Sequence, residues 1–136
     1  MAIKRYTADV HFSKAIRMRA EWCCESCGAV GSTPGGEAGC KLDCAHLLGR
    51  RNISTRWDAL NACSLCVACH FKYGENPADF YRWVDSMWPG RWDILYEKRR
   101  HIVNNNPENR EDAAKHYLEE CKRMERTGNL DLVSWI

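Results

Sequence analysis

Eight side chains between residues 24 and 70 have the types and spacings of metal and phosphate chemistry: Cys24, Cys27, Asp43, His46, Asn61, Cys66, Cys69 and His70. The cysteines stand as two C-x-x-C pairs, Cys24/Cys27 and Cys66/Cys69. Two residues between thiols allow a tight turn that points both sulfurs at one ion. Two such turns make the tetrahedral thiolate cage that zinc favours. Gly28, just past the first pair, suits that turn. Four sulfur ligands leave no position for water, so the expected Zn2+ is structural and not catalytic. Cys24 is preferred over Cys23, because only Cys24 has the two-residue spacing to Cys27. Cys40, Cys44 and Cys63 are left over and read as small buried hydrophobes. A secreted disulfide scaffold would be shorter, with an even cysteine count and a signal peptide. This chain has nine cysteines in 136 residues and starts Met1-Ala2-Ile3-Lys4-Arg5-Tyr6, without an apolar stretch. A reducing compartment, the cytoplasm, is therefore expected.

His46, Asn61 and His70 are tied to the second cysteine pair. The string reads Asn61-x-x-x-Leu65-Cys66-x-x-Cys69-His70, with His46 upstream. One histidine alone is usually structural, but an imidazole near neutral pH can also accept a proton or bind a metal. This string, with a histidine at the end of a strand before it, resembles the HNH (His-Me finger, ββα-metal) endonuclease family over about residues 24–74. The flanking words Arg50 … Thr55-Arg56-Trp57-Asp58-x-x-Asn61 and Pro77-x-x-Phe80-x-x-Trp83 are similar to phage and prophage members of the NinG-like type.

The resemblance implies a metal-dependent DNA endonuclease acting in phage or prophage DNA processing or recombination. His46 would be the general base that takes a proton from water. Asn61 would hold the imidazole of that base and shape the loop. His70 would bind one divalent ion, Mg2+ or Mn2+, acting as a Lewis acid on the phosphate, and imidazole suits Mn2+ well. The family often places Asp or His just before the base as a second ligand, and here that residue is Ala45. Asp43 is the best substitute and Asp58 a weaker one. In a regular strand Asp43 and His46 face opposite ways, so a bend is expected. A rival reading is a zinc-stabilised module that binds DNA or docks a protein partner without cutting.

Net charge is only +2, so composition alone does not demand a nucleic-acid partner. The distribution is more telling. Lys4, Arg5, Lys14, Arg17 and Arg19 stand against Asp9 alone in residues 1–20, and Lys98, Arg99, Arg100 and His101 form another cluster. Between the histidine motifs, Arg50, Arg51 and Arg56 are the expected DNA-binding residues. Arg50 would meet the scissile phosphate and Arg56 a neighbouring one, with stacking on Trp57 as the alternative for Arg56. DNA is the expected partner, and a homodimer is the arrangement that would cut both strands. No apolar run approaches the ~18 residues of a membrane span.

These residues need elements to position them. The expected fold class is α+β: a small zinc-stabilised ββα-metal core with a two-stranded antiparallel sheet, flanking helices, and a mostly helical C-terminal half. One domain is expected over 1–136, with the core at 13–75 and a helical extension at 76–136 packed on it. The patterning predicts a serine-capped helix at 13–22, a glycine-rich loop at 28–39, strands at 41–48 and 61–65, and a loop at 49–58. The helix carrying His70 begins near Val67. Asn76-Pro77 starts a helix running to Trp88, a further helical piece covers 91–102, and the last runs from 108 to 127 and stops at Gly128. The apolar tail 130–136 is either packed core or an interface.

Overall fold

The computed structural model describes residues 2–136. The chain runs α1 (Thr7–Arg19), β1 (Leu42–His46), α2 (Ile53–Arg56), a 3-10 turn at Ala59–Asn61, β2 (Ala62–Cys66), α3 (Val67–Glu75), α4 (Pro77–Met87), α5 (Arg91–Lys98) and α6 (Pro107–Thr127). β1 and β2 form a two-stranded antiparallel sheet in which Leu42 faces Cys66 and His46 faces Ala62. The expected α+β class, with its strand, loop, strand, helix order, is present. No helix among the described residues is long and apolar enough to cross a membrane.

Two local expectations are corrected, and a third in part. α1 begins at Thr7 rather than near Ser13, because the Asp9 carboxylate accepts the Tyr6 N–H at 2.7 Å and caps the helix six residues earlier. The segment 49–58 is not all loop. Asn52 accepts the Ser54 N–H at 3.1 Å and starts the one-turn helix α2. Asn76 stands at the N-cap position of α4 with Pro77 after it, as expected, but its side chain makes no bond to the first turn. Its side-chain amide donates to the Lys72 carbonyl at 2.8 Å and closes the end of α3 instead. Gly128 ends α6 at φ 70°, a left-handed conformation that glycine adopts without strain.

α1 and α6 pack face to face. Ala8, Phe12, Ala15 and Ile16 of α1 meet Ala113, Tyr117, Cys121 and Met124 of α6 in one cluster with Ile53, Trp57 and Ala62. The first and last helices thus share a core, and residue 76 marks no break in packing. A second cluster gathers Leu42, Ala45, Cys63, Leu65 and Tyr73 around Cys24, Cys66 and Cys69, and a third sets Leu48 against Val84, Trp92 and Leu95. In the tail 130–136, Leu130, Leu132 and Trp135 pack on the first cluster, while Val133 and Ile136 stay exposed. Trp135 meets Trp57 edge to face, and its indole N–H donates to Asp112 at 2.8 Å.

Arg56 belongs to this interior, which corrects its assignment to DNA. It is 2% exposed and forks onto the Asp9 carboxylate with bonds of 3.0 and 2.7 Å. Trp57 Nε1–H adds a third bond to Asp9 at 2.9 Å, and the guanidinium lies over the Trp57 ring at 5.2 Å. Stacking on Trp57, the alternative to a phosphate contact, is what the side chain does. Burial alone would raise the Asp9 carboxyl, but the donors from Arg56, Tyr6 and Trp57 outweigh it and hold it below its usual value. Its contribution to stability is therefore present at neutral pH and is lost as pH falls through that lowered pKa. Removing one partner of a buried ion pair strands the other, at about 3–5 kcal/mol. Asp9→Ala is expected to lower the free energy of unfolding by an amount in that range, read as a fall in the urea midpoint. An unchanged midpoint would mean that water replaces the carboxylate at no cost.

Candidate active site and metal centre

The four sulfurs of Cys24, Cys27, Cys66 and Cys69 lie within 4.8 Å of one another. A tetrahedron of sulfurs with ~2.3 Å bonds to zinc has edges of about 3.8 Å. Cys27 Sγ and Cys66 Sγ stand 3.8 Å apart. All nine cysteines are free thiols, so no disulfide competes for these four. The quartet can hold a zinc ion with no open position.

Local backbone explains why the sulfurs converge. Each C-x-x-C turn folds the second residue's amide toward the first sulfur: Cys27 N to Cys24 Sγ at 3.5 Å, and Cys69 N to Cys66 Sγ at 3.4 Å. Gly28 continues the first turn at φ 77°. Before it, Glu21 and Trp22 take φ of 55° and 57°, which turns the chain sharply out of α1 toward Cys23 and Cys24. The Glu25 amide donates to the Ser64 carbonyl at 2.8 Å, and the Glu25 carboxylate accepts the Ser64 amide at 2.8 Å, tying the first turn to β2. Cys66 is also the N-cap of α3. The zinc turn therefore sets the direction of the helix that carries His70.

Asp43, His46 and His70 line one cleft of about 730 Å3, together with Arg5, Arg17, Lys41 and Arg50. The expected bend between Asp43 and His46 is not needed. β1 pairs regularly with β2 from end to end, and its other edge is unpaired in this two-stranded sheet, so residues of both faces reach the cleft. Asp43 Oδ2 stands 3.0 Å from His70 Nδ1. Adjacent ligands of an octahedral ion with ~2.1 Å bonds are about 3.0 Å apart. In this structure the two are bonded to each other, and the same two atoms could instead hold one divalent cation between them. Ala45 is 2% exposed and packs in the cluster around the zinc cysteines, where a carboxylate would be buried away from the cleft. Asp58, the weaker candidate, is out of reach: it accepts the Leu60 amide at 2.8 Å and pairs with the Lys98 ammonium in the interior.

His46 packs on Phe12 with ring centroids 5.7 Å apart, and its Nε2 is 3.1 Å from the Arg56 carbonyl oxygen. A carbonyl only accepts, so Nε2 carries the proton and Nδ1 holds the lone pair. Burial lowers the His46 pKa to about 4. The nearby Arg50 charge adds to this, against the hydrogen bond to Arg56. The imidazole is neutral at any physiological pH.

Asn61 does not hold that imidazole. It is fully buried, and its side chain clasps the backbone of Leu48, accepting the amide at 2.7 Å and donating to the carbonyl at 3.0 Å. It fixes the exit of β1, and the Arg56 carbonyl orients the imidazole. Arg50 lines the cleft, whereas Arg51 lines a separate groove with Arg99, Arg100 and His101. Cys44 lines the cleft with its thiol pushed up to about 12 by burial, so it is no nucleophile. Arg5 and Arg17 stood in the basic N-terminal cluster of the sequence, but their place in the cleft beside Asp9 and Ser13 was missed. Arg5, Asp9, Ser13 and Arg17 recur at every fourth position, and that spacing was the available signal. Comparisons with protein-family models, curated proteins and solved structures find no match to this chain.

Proposed function

We propose that the chain is a metal-dependent DNA endonuclease of the HNH kind, with His46 as general base and with Asp43 and His70 holding one Mg2+ or Mn2+. The observation that carries this reading is the convergence of Asp43, His46 and His70 on one cleft with four basic side chains. Bound there, the divalent ion supplies Lewis-acid stabilisation of charge on the phosphate and on the departing 3′ oxygen. His46 does the proton work. Its Nδ1 takes a proton from water as the water oxygen forms a bond to phosphorus and the bond from phosphorus to the 3′ oxygen breaks. The Arg56 carbonyl keeps the ring in the tautomer that this requires. Arg50 takes a phosphate oxygen, and its charge keeps the imidazole unprotonated between turnovers. The zinc quartet supports the chemistry only by fixing α3 against β1. The phage-type words flanking the motif support a place in phage or prophage DNA processing or recombination.

Nicking of supercoiled plasmid by the zinc-loaded chain tests this. Conversion to the open circle is expected with Mn2+ or Mg2+ and not with chelator. Failure with every divalent ion would leave the non-cutting DNA-binding module as the reading. The pH profile is a sharper check. A neutral base is required, and burial places the loss of that form near pH 4. At saturating Mn2+ the rate should therefore show no imidazole inflection near pH 6.5, where an ordinary histidine titrates. A tenfold fall per unit below about 6.5 would remove His46 from the role of buried base.

A further inference from the structure

We propose that α1 and the segment leading into it form the strand-holding wall of the cleft, with Arg5, just before the helix, and Arg17, on it, taking phosphates of one DNA strand on either side of the phosphate over Asp43 and His70. The proposal rests on the endonuclease reading for the partner, and it uses residues outside the motif that suggested that reading. Arg5, Asp9, Ser13 and Arg17 follow one another at intervals of four, and all four line the cleft. Asp9, Ser13 and Arg17 share a face of α1, because residues four apart do, and Arg5 reaches the cleft from the segment before the helix. The adjoining face of α1, with Ala8, Phe12, Ala15 and Ile16, is spent on the core. The geometry of the core therefore leaves this stripe turned to the cleft.

Charge along the stripe points to an anion. Among the described residues no carboxylate lies within ion-pair distance of Arg5, Arg17 or Arg50. Lys41 has only a loose pair with Asp43 at 3.9 Å. Asp9 would repel a phosphate, but its charge is matched internally by Arg56 at 2.7 Å. Arg17 is steadied by a bond from its Nε to the Ser13 carbonyl at 3.2 Å and lies over the Trp22 ring at 5.4 Å. α1 is pinned to the sheet by Arg19, which donates to the Ala59 and Ala62 carbonyls at 2.7 and 2.9 Å. These bonds tie the C-terminal end of α1 to the start of β2.

The spacing also fits. From Thr7 to Arg17 the helix rises about 15 Å at ~1.5 Å per residue. Successive phosphates of one strand advance only ~3.4 Å along a duplex axis. Arg5 and Arg17 therefore meet different phosphates and set the register of the strand over the metal pair.

The test is fluorescence anisotropy of the zinc-loaded chain with a labelled duplex oligonucleotide, without added Mg2+ or Mn2+, over a series of salt concentrations. Each phosphate contact contributes about 0.9 to the slope of log affinity against log salt. Arg5→Ala and Arg17→Ala should each flatten the slope by about that amount, and the double variant by about twice as much. Arg17→Lys should keep the wild-type slope, which separates charge from packing. Arg82→Ala, on the exposed face of α4 and paired with Asp79, should also keep it. Wild-type slopes in both alanine variants, or no salt-dependent binding by the wild type, would overturn the proposal. A wild type that binds with the expected slope changes but never nicks plasmid sinks the endonuclease reading and leaves the wall standing. One that nicks while both alanine variants keep its slope sinks the wall alone.

Discussion

Cys66→Ala should lose the bound zinc and, with it, the ordered half of the molecule that carries the cleft. Structural zinc sites bind with about 10–16 kcal/mol of apparent free energy, which is folding free energy when no site exists in the unfolded chain. That is comparable to the ~5–15 kcal/mol by which a whole domain is stable. Cys66 is also the N-cap of α3 and accepts the Cys69 amide at 3.4 Å, so the loss reaches the helix as well as the ion. The damage should be uneven. The cluster between α1 and α6 contains none of the four ligands, whereas the cluster around β1, β2 and α3 contains three of them, Cys24, Cys66 and Cys69. Far-ultraviolet circular dichroism is expected to keep a large part of its helical signal while near-ultraviolet signals and cooperative melting are lost. Metal analysis should give one zinc per chain for the wild type and none for the variant. A variant with full zinc content and an unchanged melt would show that the quartet is not the site.

The second large effect is catalytic. His46→Gln should reduce plasmid nicking by about 10²–10⁴, the usual contribution of a positioned general base. Glutamine has a similar reach, so the ring contact with Phe12 at 5.7 Å is lost with little void and the fold should survive. Asp43→Asn should fail differently. Asp43 stands beside His70, and on the proposed reading the change would weaken a charged metal ligand and leave the base in place. Raising Mn2+ should therefore restore much of the nicking in Asp43→Asn and none in His46→Gln. Rescue of both by metal would place His46 among the ligands. Rescue of neither would mean that Asp43 does something other than hold the ion.

Much of the candidate site was legible because its spacings are short. A C-x-x-C pair is a single turn, and Asn61 to His70 is a strand followed by the first turn of a helix. Backbone geometry fixes such distances whatever the rest of the molecule does. The α+β order, the two-stranded sheet, the helix carrying His70 and the cysteine quartet all follow from local pattern. The early start of α1 and the one-turn helix α2 were hidden because each depends on one side chain choosing a cap, Asp9 for Tyr6 and Asn52 for Ser54. Several residues could have served as well on spacing alone.

What the sequence by itself determined is therefore the set of chemical groups and the two local turns that gather the thiols. The tertiary structure decided which of those groups meet across long separations. Asp9 and Arg56 are 47 residues apart, and their pairing takes Arg56 out of the solvent and makes its carbonyl the support of His46. Asp43 and His70 are 27 residues apart, and they meet because α3 leaves the zinc turn alongside the free edge of β1. Asn61 turned from the imidazole to the Leu48 backbone, because a buried amide must satisfy both its donor and its acceptor and the exit of β1 offers both. Contacts of this kind depend on burial and on which helix lies against which strand, and neither is written in residue spacing.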